Sequence, residues 1–132
     1  MEFNVEWFSP NLGTPIVSLA EYGIVFNKAS IVALDSPHSI KLGFDRENKY
    51  IIVVGVTESE ATDESIIFGS KERNGYIRIN NKDFVRFVLR YCPEIKLEKA
   101  KRFLSRKEGE FLVVDLNSPA DINENEDTVE HE

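Results

Sequence analysis

The chain has one cysteine, two histidines and no long apolar run in its 132 residues. Each scarcity excludes something. Cys92 alone cannot form an internal disulfide, and a lone thiol suits a reducing compartment. His38, in a turn after Pro37, and His131, near the C-terminus, do not combine with Cys92 into a zinc site. Such a site takes three or four ligands at short spacings. No stretch approaches the ~20 apolar residues of a membrane span. The start Met1-Glu2-Phe3-Asn4-Val5-Glu6 has neither the basic opening nor the apolar run of a signal peptide, so the reading expects a cytoplasmic protein. The seven glycines form no phosphate loop or dinucleotide fingerprint, and no serine-centred elbow is present. The carboxylate pairs Glu58/Glu60 and Asp63/Glu64 fall in a polar loop and read as solvated rather than as a magnesium site. With no catalytic constellation, the expectation is a non-enzymatic protein without metal or cofactor.

What is present is enough to build a core: 42% hydrophobic residues, nine of the residues being Phe. The length fits one domain and is short for two. The net charge of −7 hides a segregation. Residues 1–70 hold ten acids and four bases, residues 71–107 four acids and twelve bases, and residues 108–132 nine acids and no base. A basic segment inside an acidic chain says more about partners than the total does.

Alternation of Phe3, Val5 and Trp7 with polar residues has the period of a strand. Ile16–Leu19 and Gly23–Phe26 read as two more strands, and Asn27 caps a short helix from Lys28 to Leu34. Ile40–Phe44 and Tyr50–Val56 form a hairpin about the Asp45–Lys49 turn. Ile66–Phe68 reads as an edge strand or a clamp onto the core, and Gly75–Ile79 as a further strand. Asn80 or Asn81 then caps a helix that Pro93 stops near Cys92. Leu97–Leu104 reads as a short helix or an extended lead-in, and Phe111–Leu116 as the last strand. The fold expected is α+β, a strand-rich single domain over residues 1–117 with two or three short helices. Residues 118–132 form an acidic tail too poor in apolar residues to offset its ordering entropy, and so expected to be disordered. Phe26, Leu34, Phe44, Ile52, Phe84, Phe87 and Val113 are the expected core.

Ile24–Leu34 aligns with Ile77–Phe87, with Asn27 opposite Asn80 and five coincident apolar positions. Each segment runs on into a charged turn and an aromatic-led apolar run, beginning at Tyr50 and Phe111. Either a strand–helix–hairpin unit is duplicated, or a common Asn-capped pattern has been used twice.

The segments Tyr22–Lys28 and Ser39–Val54 resemble the AbrB/MazE-type swapped-hairpin fold of small bacterial DNA-binding proteins. Asn27 stands where that family has Pro, and Pro37-His38-Ser39 where it has Gly-Asp. The chain is also similar to small proteins of prokaryotes and their phages. The first resemblance implies a strand–helix–hairpin fold and a DNA-binding role.

The helix after Asn81 places Lys82, Arg86 and Arg90 at i, i+4 and i+8, on one face. Phe84, Phe87, Val88 and Tyr91 lie on the other and can seal it to the core. Arg78, with Lys71 and Arg73 before it, extends the basic patch, and Lys96, Lys99, Lys101, Arg102, Arg106 and Lys107 follow. The plain reading is a solvated amphipathic helix lying against the acidic first half. The functional reading is a site for an anionic partner, nucleic acid or nucleotide, formed by Arg73, Arg78, Lys82, Arg86, Arg90, Lys99, Arg102 and Arg106. That reading gives a nucleic-acid-binding regulator. Its rival is a phage-type accessory inhibitor that binds a host protein or sequesters a nucleotide. Neither needs a membrane, and association with further copies of the chain is left open.

Overall fold

A computed structural model describes residues 2–5 and 13–120. Its body is an eight-stranded sheet in which every neighbouring pair is antiparallel. In chain order the elements are β1 (Ile16–Ala20), β2 (Gly23–Phe26), α1 (Lys28–Ala33), β3 (Ser39–Asp45), β4 (Tyr50–Val56), β5 (Ile66–Ile67), β6 (Ile77–Asn80), α2 (Lys82–Tyr91), β7 (Lys101–Glu108) and β8 (Phe111–Pro119). The spatial order is β5-β3-β4-β8-β7-β1-β2-β6. The described residues are therefore mainly β, with two α-helices and two single 3-10 turns among them.

The sheet curls into a half-barrel, and one contact demonstrates it. Phe68 directly follows the edge strand β5, whereas Phe26 lies on β2, six strand positions away. In a flat sheet that separation is about 29 Å at ~4.8 Å per strand. The two rings instead meet edge to face with centroids 5.1 Å apart, both fully buried. Strand alternation fills the concave side. Val17, Leu19, Ile24, Phe26, Ile77 and Ile79 come from one half of the sheet, and Ile40, Ile51, Val53, Leu112 and Val114 from the other. Ile31 and Leu34 of the α1 region and Val85, Val88 and Cys92 of the α2 region join the same cluster.

The two helices begin alike. The Ser30 N–H donates to Asn27 Oδ1 and the Phe84 N–H to Asn81 Oδ1, each at 3.0 Å, which satisfies an amide left unpaired in a first helical turn. β2, α1 and the β3–β4 hairpin therefore have the same element order as β6, α2 and the β7–β8 hairpin. Gly23 is required where the first units meet: a Cβ there would lie 2.0 Å from the Ile79 carbonyl oxygen of β6.

Several sequence expectations change. Phe3 and Val5 are exposed without regular structure, and Trp7 lies outside the described residues. Lys101–Glu108 is a strand, paired with β1 and β8, so no helix covers Leu97–Leu104. β8 continues to Pro119, and Ala120 is buried with its N–H donating to the Arg102 carbonyl at 2.8 Å. Residues 121–132 of the expected tail lie outside the described residues. Of the expected core, Phe26, Leu34 and Val113 are buried, Phe44, Ile52 and Phe84 are half-buried, and Phe87 is 39% exposed. Ile52 and Val113 pair with each other on the convex side, opposite in phase to Ile51, Val53, Leu112 and Val114. An all-apolar run such as Ile51–Val54 carries no alternation from which to read its phase.

Of the two possible caps, Asn81 is the one used by α2. Val85 and Val88 take the core positions, whereas Phe87 and Tyr91, expected to seal the helix to the core, lie against Phe44 at 5.9 and 6.2 Å.

Candidate nucleic-acid interface

The convex face over β7, β1, β2 and β6 is a grid whose rows are fixed by strand register. Arg102 lies beside Ser18, Ser18 beside Val25, and Val25 beside Arg78, one row across four strands. All four point away from the core, because Phe103, Val17, Phe26 and Ile77, one residue along, point into it. Arg102 and Arg78 are three strand steps apart, about 14 Å.

At the β6 edge the row runs into an open depression of about 740 Å³ lined by Tyr22, Arg78, Asn80, Asn81, Lys82, Asp83 and Arg86. Three cations converge there from two elements. Arg78 projects outward from β6 because Ile77 and Ile79 take the inward positions. Lys82 and Arg86 share a face of α2 because they are one turn apart. The guanidinium of Arg78 lies over the Tyr22 ring, 4.8 Å from its centroid. Among the described residues neither Arg78 nor Lys82 has a carboxylate partner. Arg86 is 3.8 Å from Asp83, a solvent-exposed pair. The first turn of α2 adds the amides of Lys82 and Asp83, which have no intrahelical acceptor. The helix dipole contributes partial positive charge at the same end.

The other expected site residues are dispersed. Arg90 is exposed on α2 but does not line the depression. Lys99 is exposed in the segment before β7. Arg73 sits in a tight turn, where its guanidinium donates to the carbonyls of Ser70 and Glu72. Arg106 is on the convex face of the other half of the sheet, paired with Glu108 and Asp115 and packed over the Tyr50 ring. The Glu108 hydrogen bond, with help from Tyr50, raises the already high basicity of its guanidinium. That network is occupied by its own partners. Lys107 of the basic segment neutralises Asp35 at 3.6 Å, while Glu94, one of that segment's acids, holds Lys49 at 3.1 Å.

Arg102 lines a second hollow of about 340 Å³ with Ile16, Ser18, Val25, Asn27 and Tyr76. Tyr76 was not singled out in the sequence, although the signal was there. Asn74-Gly75 is a strong two-residue hairpin turn, and both residues have positive φ, 56° and 83°. The turn joins Arg73 and Tyr76 through mutual backbone hydrogen bonds of 2.8 and 3.0 Å, which fixes Tyr76 at the mouth of β6.

Cys92 is buried, and burial, reinforced by Glu94, raises its thiol pKa, so it belongs to the core as a neutral side chain. Among the described residues, no group of three or more His, Cys, Asp and Glu is placed to hold a metal ion. None of their helices is long and apolar enough to cross a membrane. No protein-family model, curated protein or solved structure matches this chain.

Proposed function

We propose that this protein is a non-enzymatic nucleic-acid-binding regulator that holds phosphates on the surface formed by Arg78, Lys82 and Arg86. The convergence of these three cations, from β6 and α2, on one open depression carries the reading. Arg102 continues the positive surface along its cross-strand row. An extended polyanion suits such a surface better than a compact ligand does, because the cations line an open face spanning two elements. Phosphate oxygens would accept from the guanidinium groups, the Lys82 ammonium and the free amides of the α2 first turn, with the binding energy taken largely from released counterions. The overall charge of −7 is no bar, since at 0.1 M salt interactions between exposed charges are largely screened beyond about 10 Å. The likeness of Tyr22–Lys28 to the AbrB/MazE-type DNA-binding proteins favours the same reading. A duplicated strand–helix–hairpin unit would account for the two equivalent element orders.

The test is the salt dependence of binding to labelled nucleic acid. Wild-type protein should bind measurably at about 0.1 M salt, with log affinity falling linearly as log salt rises. Arg78→Glu, Lys82→Glu and Arg86→Glu together should abolish binding and leave the fold intact, because exposed charges contribute little to stability. Absence of wild-type binding to duplex and single strands at that salt would defeat the reading.

A further inference from the structure

We propose that the hollow between Tyr76 and Arg102 is a base subsite, which takes one unstacked nucleobase against the Tyr76 ring and makes this surface select single-stranded over duplex nucleic acid. The proposal rests on the nucleic-acid reading above and adds Tyr76 and Ser18 to its Arg78 and Arg102.

The hollow is built from two adjacent rows of the convex grid. One row is Arg102, Ser18, Val25 and Arg78. The next contains Ile16 and Asn27, joined by the bond from the Asn27 N–H to the Ile16 carbonyl at 3.2 Å, and ends at Tyr76. Ile16 and Val25 supply apolar surface. The Asn27 side chain is already consumed: its oxygen accepts from the amides of Ile16 and Ser30, both at 3.0 Å, and its Nδ2 donates to the Thr14 carbonyl at 2.9 Å. Among the described residues, the Ser18 hydroxyl, the Tyr76 phenol and the Arg102 guanidinium have no partner. A flat ligand with an apolar face and a hydrogen-bonding edge matches that lining.

Tyr76 is the exposed aromatic of the hollow, 55% accessible, and the two backbone bonds of its turn fix the main chain that carries the ring, which limits the backbone entropy lost on stacking. Tyr22 differs, since Arg78 already covers one of its faces. Tyr76 and Arg78 are two residues apart and point to the same side, about 6.7 Å along the strand. A base on Tyr76 can therefore have its neighbouring phosphate at Arg78, while Arg102 bounds the hollow on the other side. A base within a duplex has both faces covered by its neighbours and cannot lie on the ring without first leaving the stack. A single strand has its bases free, and aromatic platforms bind them with little regard to sequence.

The experiment compares fluorescence anisotropy of a labelled single strand of about 12 nucleotides, the matching duplex and a labelled nucleoside monophosphate, a length within the ~4–16 nucleotides such modules cover. Wild-type protein should prefer the single strand about tenfold over the duplex. Tyr76→Ala should remove about tenfold of single-strand affinity, the order expected for loss of one stacked base, and leave duplex affinity unchanged. Tyr76→Phe should retain the preference. Ser18→Trp, which fills the hollow and leaves Tyr76 in place, should act like Tyr76→Ala and guards against a folding artefact at Tyr76. Equal affinities for single strand and duplex, unmoved by either change, would overturn the base subsite and leave the phosphate surface standing. A monophosphate bound as tightly as the oligonucleotide would overturn it too, because the hollow would then be a nucleotide site. Failure of wild-type protein to bind any of the probes would sink both readings together.

Discussion

Arg78 lies over the ring of Tyr22, its guanidinium carbon 4.8 Å from the centroid, although the two belong to different strands or turns of the sheet edge. The stack holds a long cationic side chain in one direction, outward over the depression that Lys82 and Arg86 share. On the proposed reading, Tyr22 would act on binding through Arg78 as well as through its own surface. Tyr22→Ala should weaken nucleic-acid binding without reducing the number of charges, so its salt slope should stay close to wild type. Arg78→Ala should weaken binding and also lower the slope of log affinity against log salt by about 0.9 for duplex or 0.7 for single strands. A salt titration of both variants separates the two effects. The stability cost of either change should be about 0.5–1 kcal/mol, as for an exposed cation–π pair.

The core is set by inward residues from both ends of the sheet. Phe26→Ala should cost about 3–5 kcal/mol, because the ring is fully buried and would leave a cavity against Phe68. Phe87→Ala should cost about 1 kcal/mol, because that ring is partly in solvent and packs against the rim aromatics Phe44, Phe84 and Tyr91. Urea unfolding midpoints at constant m-value measure the difference.

That contrast also shows what was legible in the sequence. Both helices, their Asn caps and the β3–β4 hairpin were readable because capping and alternation are local physics. The buried face of α2 was not, because Phe84, Val85, Phe87, Val88 and Tyr91 spread apolar surface around much of the helix, and only the sheet it packs on selects Val85 and Val88. Lys82, Arg86 and Arg90 were placed on one face correctly, since their mutual spacing does not depend on the cap. Their separation into groove and non-groove residues depends on which strand lies beside the helix, and no local pattern carries that. The strand β7 was ambiguous for a related reason. Lys101-Arg102-Phe103-Leu104 has no clear period, and its extended form is selected by pairing with β1, some 85 residues earlier in the chain on average.

Gly23→Ala should destabilise the protein by about 3 kcal/mol, the upper end of ordinary overpacking. The added methyl would lie 2.0 Å from the Ile79 carbonyl oxygen, and backbone on the neighbouring strand cannot yield as a side-chain tip would. Since β6 carries Arg78 and precedes α2, the same change should reduce nucleic-acid binding. Thermal unfolding and anisotropy on the one variant test both effects.

Asp115 gives a pH signature. Burial works to raise its pKa, but hydrogen bonds from the Asn117 amide and side chain and from Ser118, with the charge of Arg106, leave it below the ordinary carboxylate value. A carboxyl with a lowered folded pKa stabilises above its unfolded value, about 3.9, and loses that contribution as the pH falls through the folded value. Wild-type stability should therefore fall below about pH 4 more steeply than that of Asp115→Asn. The variant should be the less stable of the two at neutral pH. Denaturation midpoints across pH 2–7 (about five units) would show the curves converging at the acid end.

The C-terminal boundary can be tested by two truncations. β8 runs to Pro119, and Ala120 is buried with its N–H bonded to Arg102 at 2.8 Å. Cutting after Asn117 removes that bond and uncovers its surroundings, so the melting temperature should drop by several degrees, as for a loss of about 1 kcal/mol in a domain of this size. Cutting after Ala120 should leave it within a degree or two, because Ile122 and Val129 are the only large apolar side chains beyond that point. The second truncation should change binding instead. Residues 121–132 hold six carboxylates and no base, and they follow Ala120, which is bonded to Arg102 on the strand that begins the cationic row. Twelve residues can reach at most about 40 Å, well beyond the ~14 Å between Arg102 and Arg78. If the basic surface binds phosphates as proposed, their negative charge would compete for it. Removing them should tighten nucleic-acid binding severalfold at about 0.05 M salt and less at 0.2 M, where screening has already weakened the competition. An affinity unchanged by the cut at low salt would show that these carboxylates do not reach the cationic row.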